Sequence, residues 1–182
     1  MADSDPIDDV FIEKWQKIFA SSPRGQASYD ELVLQVGADI EKHGCITKRT
    51  LIRLINWKSP RIRPIFEKRG FKEYRLCIEE CLAAEECDKM AILNSAYGIG
   101  APVASTILHF TYPDRFPIID FRTAEALYHF GLIASPRVSA KGYAAFREAI
   151  LDIRKRHERW SLRQIDMALF AYDKKELSRP RP

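Results

Sequence analysis

The chain carries apolar residues at helical spacing along almost its whole length. Phe11, Trp15 and Phe19 recur four residues apart and predict a first helix. The same period predicts later helices at 28–44, 47–57, 71–84, 89–96, 121–131, 143–157 and from 161 onward. Alternating runs of β-branched residues and hairpin dipeptides are absent from the sequence. We therefore expect an all-α fold of roughly nine to eleven helices.

Several helix ends carry their own local signals. Gly44 stands where a left-handed C-cap would end the second helix. Asp88 precedes the helix at 89–96 and is expected to cap it. Ser161 and Gln164 form the spacing of a capping box. These signals predict where helices begin and end without reference to tertiary structure.

The composition is that of an ordinary globular protein, with 182 residues, 46% hydrophobic and 30% charged. At this length we expect a disordered acidic leader at 1–9, a single all-α domain at 10–175 and a basic tail at 176–182. No apolar stretch approaches the roughly 20 residues that a membrane span requires. Residues 1–9 also lack the apolar core of a signal peptide. We therefore expect a cytoplasmic monomer without a membrane partner.

The four cysteines, Cys45, Cys77, Cys81 and Cys87, match no spacing typical of a zinc site or a disulfide framework. Cys77 and Cys81 lie four residues apart and therefore share one face of a helix. A metal-binding pair is one interpretation of that spacing. We favour the other interpretation, in which buried free thiols act as small hydrophobic side chains.

Positive charge is concentrated in one segment, although the net charge is only +4. Ten lysines and arginines lie at residues 48–75, the basic segment, and only Glu67 and Glu73 oppose them there. A second basic group lies at residues 154–163. Such clusters favour a polyanionic partner. The alternative is a set of solvated helix faces.

Residues 94–122 contain the strongest candidate for chemistry. A turn, Gly98-Ile99-Gly100, joins two predicted helices, and an apolar run at 116–119 ends on Asp120. Glycine adopts positive φ and lets a ligand approach the backbone, and Pro102 suits the first turn of the second helix. The N–H groups at that helix start can bind a phosphate. A plain turn between two helices is the alternative.

The order of these features resembles the helix-hairpin-helix motif and the Gly/Pro-rich loop of the DNA glycosylase superfamily. The resemblance is carried by Leu93, Gly98-Ile99-Gly100, Ala104, Ile107, Leu108, Pro117, Ile118, Ile119 and Asp120. It implies a helix-hairpin-helix glycosylase-like helical domain that binds double-stranded DNA. It further implies excision of a damaged or modified base, flipped out of the duplex, by hydrolysis of its N-glycosidic bond.

By this resemblance, Asp120 corresponds to the catalytic aspartate of the superfamily. Its carboxylate would stabilise the positive charge that develops at C1′ as the base departs, and would orient or deprotonate water. Asp120 also precedes a predicted helix, so an N-cap is the alternative role, and the two roles are compatible. Without chemistry, the protein would be a helix-hairpin-helix DNA-binding module. A third interpretation is a protein whose basic faces bind an acidic protein.

Two departures from the superfamily pattern limit the chemistry. Bifunctional members place a lysine nucleophile where this chain has Pro102, so the resemblance implies a monofunctional enzyme. Some members hold an iron–sulfur cluster on four cysteines after the aspartate, whereas no cysteine follows Cys87 here, and no cluster is expected. The one ion that the resemblance implies is K⁺ or Na⁺, at the main-chain carbonyls of Asn94, Ala96 and Ile99.

The expected DNA contacts lie in the turn and at the junction 57–61, where an aromatic residue stands among basic ones. The residues expected to contact the DNA backbone are Tyr97, Gly98, Ile99, Gly100, Ala101, Val103, Arg122, Lys58 and Arg61. The residues considered for stacking on a flipped base are Trp57, Tyr112, Phe116 and Phe121. Core packing is the alternative for the aromatics. For Arg122 the alternatives are a pair with Asp120 and an exposed helix position.

Overall fold

The computed structural model describes residues 5–21 and 26–177, and over these residues the chain is helical, without strands. The all-α prediction is therefore confirmed. The ten α-helices of these residues are α1 Asp9–Ala20, α2 Gln26–His43, α3 Lys48–Lys58, α4 Arg63–Lys68, α5 Phe71–Ala83, α6 Lys89–Ser95, α7 Ala101–Thr111, α8 Phe121–His129, α9 Ala140–Arg156 and α10 Leu162–Tyr172. A 3₁₀ turn, Pro60–Ile62, precedes α4, and a π-helical turn, Asp173–Leu177, follows α10.

Most of the predicted helix ends are confirmed. Gly44 follows α2 with φ +67°, the left-handed conformation expected of its C-cap. Ser161 caps α10, and its side chain forms a reciprocal capping box with Gln164. Asp88 is the exception, because it stands at the N-cap of α6 without a side-chain bond to the described residues of that helix. Capping chemistry is local, which is why sequence spacing predicts it well.

The chain divides into two compact units, whereas its length and composition predict a single domain over 10–175. The first unit contains residues 5–21 together with 114–177, and the second contains residues 26–113. The boundary between Pro113 and Asp114 falls inside the segment 94–122, which contains the glycine turn and Asp120. The hairpin turn therefore belongs to the second unit and Asp120 to the first.

The first unit is built around α10, against which α1, α8 and α9 all pack. Its fully buried residues include Ile12, Ile150 and Leu169. Burial of side chains of this size stabilises a fold by about 1.5–3 kcal/mol each. An aromatic cluster adds to this core, with ring centroids 5.0–6.3 Å apart, and its members are Phe11, Trp15, Phe130 and Tyr172.

The structure places residues 5–9 in contact with the rest of the first unit, which differs from the expected disordered leader. Ile7 is fully buried, and the Asp8 carboxylate caps α1 by accepting from the Phe11 amide at 2.7 Å. Asp5 and Asp9 lie 3.0 and 3.1 Å from the two ring nitrogens of His157. The acidic residues of this segment were expected to be solvated. Asp5 and Asp9 are instead paired with a basic residue distant in the sequence. Residues 1–4 and 178–182, the last five of the expected tail, lie outside the described residues.

The second unit is built around α7, against which α2, α3 and α6 pack, while α5 packs on α6. Leu32, Leu51 and Leu93 are among its buried apolar residues. Lys89 is also buried, at 4% exposure. Its ammonium group donates to the carbonyls of residues 81, 82 and 84 at 2.7, 3.0 and 2.8 Å. This lysine therefore satisfies carbonyls at the C-terminal end of α5 that the helix itself leaves without donors.

All four cysteines are free thiols. Burial raises the pKa of the Cys81 thiol to about 12, although the nearby Lys89 charge opposes the shift. Burial also raises the pKa of the Cys77 thiol. Their sulfurs lie 3.6 and 3.3 Å from the main-chain carbonyls of Lys89 and Ile92, so both side chains pack between α5 and α6. The interpretation of Cys77 and Cys81 as small packed side chains agrees with these contacts.

None of the described helices combines the length and the apolar character needed to cross a bilayer.

Candidate functional site

The turn between α6 and α7 is a tight hairpin held by its own main-chain bonds. The Ile99 amide donates to the Ala96 carbonyl at 3.0 Å. The Gly100 carbonyl accepts from the amides of Val103 and Ala104, both at 2.9 Å. The amides of Ile99 and Val103, two of the expected DNA-contacting residues, are therefore used within the hairpin.

The two turn glycines have different roles. Gly98 has φ +83°, and a Cβ added there would lie 2.9 Å from Ile65 Cγ2 of α4. Both its conformation and the close approach of α4 therefore require glycine. Gly100 is extended, with φ −78° and ψ 171°, and the nearest atom to an added Cβ is Pro102 Cδ at 3.8 Å. The fold therefore tolerates a side chain at Gly100.

The turn before α7 leaves the Gly98 and Gly100 amides without a main-chain acceptor among residues 26–113. Gly100 is the exposed N-cap residue of α7, and Pro102, which has no N–H, lies in the first turn. Amides at the N-terminal end of a helix, together with the positive end of its dipole, favour an anion.

The expected cation ligands lie around the same turn. Asn94 is in the last turn of α6, and Ile99 is buried. The Ala96 carbonyl accepts one hydrogen bond from the Ile99 amide. A carbonyl oxygen has a second lone pair, so this hydrogen bond does not by itself prevent the Ala96 carbonyl from binding an ion, and the cation site stays a prediction.

An aromatic residue and an arginine stand beside the turn. Tyr97 is 61% exposed, and the Arg69 guanidinium lies over its ring at 4.3 Å from the centroid. The Tyr97 carbonyl accepts from the buried Tyr74 hydroxyl at 3.0 Å. Burial raises the pKa of that hydroxyl, while the Arg69 charge lowers it, and the net shift keeps it a donor. No local pattern in the sequence indicates that Arg69 lies here, because it is far from Tyr97 along the chain.

The basic segment keeps an excess of positive charge in the folded unit. Four of its arginines form ion pairs: Arg53 with Glu31, Arg63 with Glu67, Arg69 with Glu73 and Arg75 with Glu79, at 2.6–3.3 Å. Five other cations of the segment are exposed, namely Lys48, Arg49, Arg61, Lys68 and Lys72. Ion pairs at exposed positions are weak, so the charges of this segment remain available to a polyanion.

The junction 57–61 divides into a packed and an exposed part. Trp57 is half-buried and lies 5.1 Å edge-to-face from Phe110, between ring centroids. It also contacts Tyr29, whose hydroxyl lies 2.7 Å from His109 Nε2. Lys58 is half-buried, whereas Arg61 on the 3₁₀ turn is exposed. Part of the Trp57 side chain is therefore packed in the core, which is the alternative stated for it, and the rest is exposed.

Asp120 is the N-cap of α8. Its Oδ1 accepts from the amides of Arg122 and Thr123 at 2.8 and 3.3 Å. The Thr123 hydroxyl lies 3.1 Å from the Asp120 amide, which completes a capping box. The predicted N-cap role is therefore confirmed. The cap fixes the direction of a half-buried carboxylate at the start of a helix. The catalytic role of Asp120 stays a prediction.

Arg122 forms an ion pair that the sequence did not predict. Its Nη1 lies 2.6 Å from Asp173 Oδ2, and the two side chains are 16% and 7% exposed. Burial raises the pKa of the Asp173 carboxyl, as does the Asp120 charge, while Arg122 lowers it in part. The interpretation of Arg122 as an exposed helix position is therefore wrong. The Arg122 guanidinium also lies 4.9 Å from the Phe121 ring centroid.

The remaining aromatic candidates differ in their exposure. Phe116 is 1% exposed and Phe121 is 46% exposed. Tyr112 is half-buried, with Lys89 Nζ 5.3 Å from its ring centroid. The Pro117 carbonyl accepts from the Tyr143 hydroxyl at 2.8 Å, which anchors the apolar run before Asp120. Phe121 is thus the candidate with the most exposed ring.

Comparison of the chain with protein-family models, with curated proteins and with solved structures found no match.

Proposed function

We propose that the protein is a monofunctional DNA glycosylase, which binds duplex DNA and hydrolyses the N-glycosidic bond of a damaged or modified base. The observation that carries the proposal is the hairpin. Gly98 in the left-handed region leads into the exposed, glycine-capped start of α7. This is the geometry that a helix-hairpin-helix element needs to approach a phosphate with its main chain.

The DNA-binding part rests on two features of one unit. The hairpin offers main-chain donors, and the basic segment offers exposed lysines and arginines. Main-chain donors position a duplex without reading its sequence. Side-chain cations release counterions from the duplex, which gives an affinity that falls as salt rises. Both properties suit a protein that searches for a lesion rather than for a sequence.

The catalytic part rests on Asp120 and Pro102. Asp120 would stabilise the positive charge that develops at C1′ as the base leaves, and would orient the attacking water. Pro102 cannot form a Schiff base, so water is the nucleophile in this proposal. A K⁺ or Na⁺ ion on the carbonyls of Asn94, Ala96 and Ile99 belongs to the same proposal and would add positive charge at the hairpin.

A panel of duplexes with alkylated, deaminated or oxidised bases tests the proposal, with abasic sites as the readout. We expect release of at least one base by the wild type and none by Asp120→Asn. Asparagine caps a helix as well as aspartate does, so this variant keeps the fold and the DNA affinity. Asp8→Asn, at the cap of α1, is the matched control and keeps full activity.

The second candidate function is a helix-hairpin-helix module that binds DNA without chemistry. It is favoured by the engagement of Asp120 Oδ1 in the capping box of α8, since a cap alone explains an aspartate there. DNA binding without an abasic product on the whole panel would support this candidate and exclude the enzyme. Absence of DNA binding at low salt would exclude both.

A further inference from the structure

We propose that Arg69 and Tyr97 form, with the Gly98 amide, one binding site for a phosphate of the DNA backbone. The inference rests on the proposed DNA binding. It adds Arg69, which lies between α4 and α5 and is not part of the hairpin motif. Arg69 immediately follows α4, which ends at Lys68. Tyr97 precedes Gly98 in the hairpin turn.

Tyr97 is exposed but fixed. The residue is 61% exposed, and the Arg69 guanidinium lies over its ring at 4.3 Å from the centroid. Its carbonyl accepts from the buried Tyr74 hydroxyl at 3.0 Å. An exposed tyrosine that is held at both its ring and its main chain can bind a ligand with little loss of side-chain entropy.

The bond from Tyr74 also sets the direction of the Gly98 amide. The peptide bonds of the described chain include no cis bond. In a trans peptide, the carbonyl and the following N–H point in opposite directions. Because the Tyr97 carbonyl points to the buried Tyr74 hydroxyl, the Gly98 N–H points away from it. No main-chain carbonyl of residues 26–113 accepts from that amide.

Arg69 has the geometry of a phosphate ligand. A guanidinium that stacks on a ring keeps its N–H donors in the plane of the group, where they can bind a phosphate in bidentate fashion. Its ion pair with Glu73 is long, at 3.3 Å, and the two side chains are 47% and 68% exposed. Such a pair is worth little, so a phosphate can replace or share it.

Arg75 is a matched control within the same unit. It pairs with Glu79 at 2.7 Å with the same i, i+4 spacing, and its side chain is 53% exposed. It differs in lacking an aromatic ring among its described contacts and in lying on α5, whereas Arg69 precedes that helix. If only the total positive charge mattered, replacing either arginine would weaken DNA binding equally. If the proposed site exists, only replacement of Arg69 weakens it.

The test is the affinity for a plain duplex DNA, measured by fluorescence anisotropy at several KCl concentrations. We expect Arg69→Gln to weaken binding about eightfold at roughly 0.1 M salt and to reduce the salt slope by about 0.9, the effect of one phosphate contact. Arg75→Gln should change neither quantity appreciably. Arg69→Lys keeps the charge but loses the bidentate, stacked geometry, so the affinity should fall while the slope is kept.

Tyr74→Phe provides a second, charge-neutral arm. It removes the hydroxyl that orients the 97–98 peptide, so the affinity should fall with an unchanged slope. Thermal unfolding of each variant confirms that it is folded. Equal affinities of Arg69→Gln and Arg75→Gln would overturn this inference and leave the proposed function intact. A wild-type protein that does not bind duplex DNA would overturn both.

Discussion

Arg122 and Asp173, 51 residues apart in the sequence, form a 2.6 Å ion pair at the start of α8. The backbone amide of the same arginine donates to Asp120. Arg122 therefore connects the capped start of α8 to the π-helical turn that follows α10. This places the candidate catalytic carboxylate next to a largely buried charge pair.

Breaking this pair should destabilise the protein. Asp173→Asn leaves the Arg122 charge largely buried without its carboxylate, and the loss of one partner of a buried pair costs about 3 kcal/mol of unfolding free energy. Urea unfolding measures the change. The double variant Arg122→Met with Asp173→Leu should recover much of the loss, because two apolar side chains need no charge partner. Equal stability of Asp173→Asn and the wild type would contradict a buried pair.

The two turn glycines should differ in their tolerance of alanine. Gly98→Ala places an alanine in the left-handed conformation, with its Cβ 2.9 Å from Ile65 Cγ2. It should lower the free energy of unfolding by roughly 2 kcal/mol. Gly100→Ala, in extended backbone, should cost below roughly 1 kcal/mol, the difference between glycine and alanine as an N-cap. Thermal and urea unfolding of the two variants compare them directly. Similar losses at both positions would count against the turn geometry.

Replacement of the buried Lys89 should destabilise the second unit. Lys89→Met keeps the length of the side chain but removes the donor to three carbonyls at the end of α5. We expect a loss of about 2 kcal/mol, since hydrogen bonds from a charged donor are stronger than average. Lys72→Met, at an exposed position of α5, is the control and should change stability little. The prediction fails if the two variants unfold at the same urea concentration.

Asp39 should contribute a pH-dependent part of the stability. Burial alone would raise the pKa of its carboxyl, but bonds from Thr50 and Thr47 outweigh burial and lower it below 3.8. The Thr47 amide and hydroxyl lie 2.8 and 2.7 Å from Asp39 Oδ2. Because the folded-state pKa is lowered, the contribution of Asp39 to the free energy of unfolding is fully present at pH values above its unfolded-state pKa. That contribution is lost as the pH falls through the folded-state pKa.

The variant Asp39→Ala tests that sign. It should be less stable than the wild type at neutral pH, by about 1 kcal/mol after allowance for solvent screening. The difference should stay constant as pH falls to about 5 and shrink below pH 3.8. Thermal unfolding across that range measures it. A difference that grows on acidification would mean that the sign is wrong.

The helices and several of their caps were predictable because their causes are local. Apolar residues at a period of 3.6 define a helix face within one segment, and a cap such as Ser161 with Gln164 involves residues three apart. The N-cap position of Asp120 was predictable for the same reason. The left-handed conformation at Gly44 also follows from its place after a helix.

The contacts that surround the candidate residues were not predictable, because each depends on residues far apart in the sequence. Arg69 reaches Tyr97 only because α4 packs against the hairpin turn, and Arg122 is buried only because the turn after α10 brings Asp173 to it. Lys89 is the first residue of α6, and nothing in the neighbouring sequence indicates that its ammonium group reaches the end of α5. The division of the chain into two units at Pro113 has no local signal either.

The sequence alone determined an all-helical chain with a glycine hairpin and a capping aspartate, because hydrogen bonding within a few residues specifies such elements. Only the tertiary structure decided which charges are buried and which are exposed. A charged side chain is stable in the interior only where the fold supplies a partner, and the fold supplied one to Lys89 and Arg122. At Arg69 it supplied an exposed ring and a weak ion pair with Glu73, and left the guanidinium partly exposed beside the hairpin.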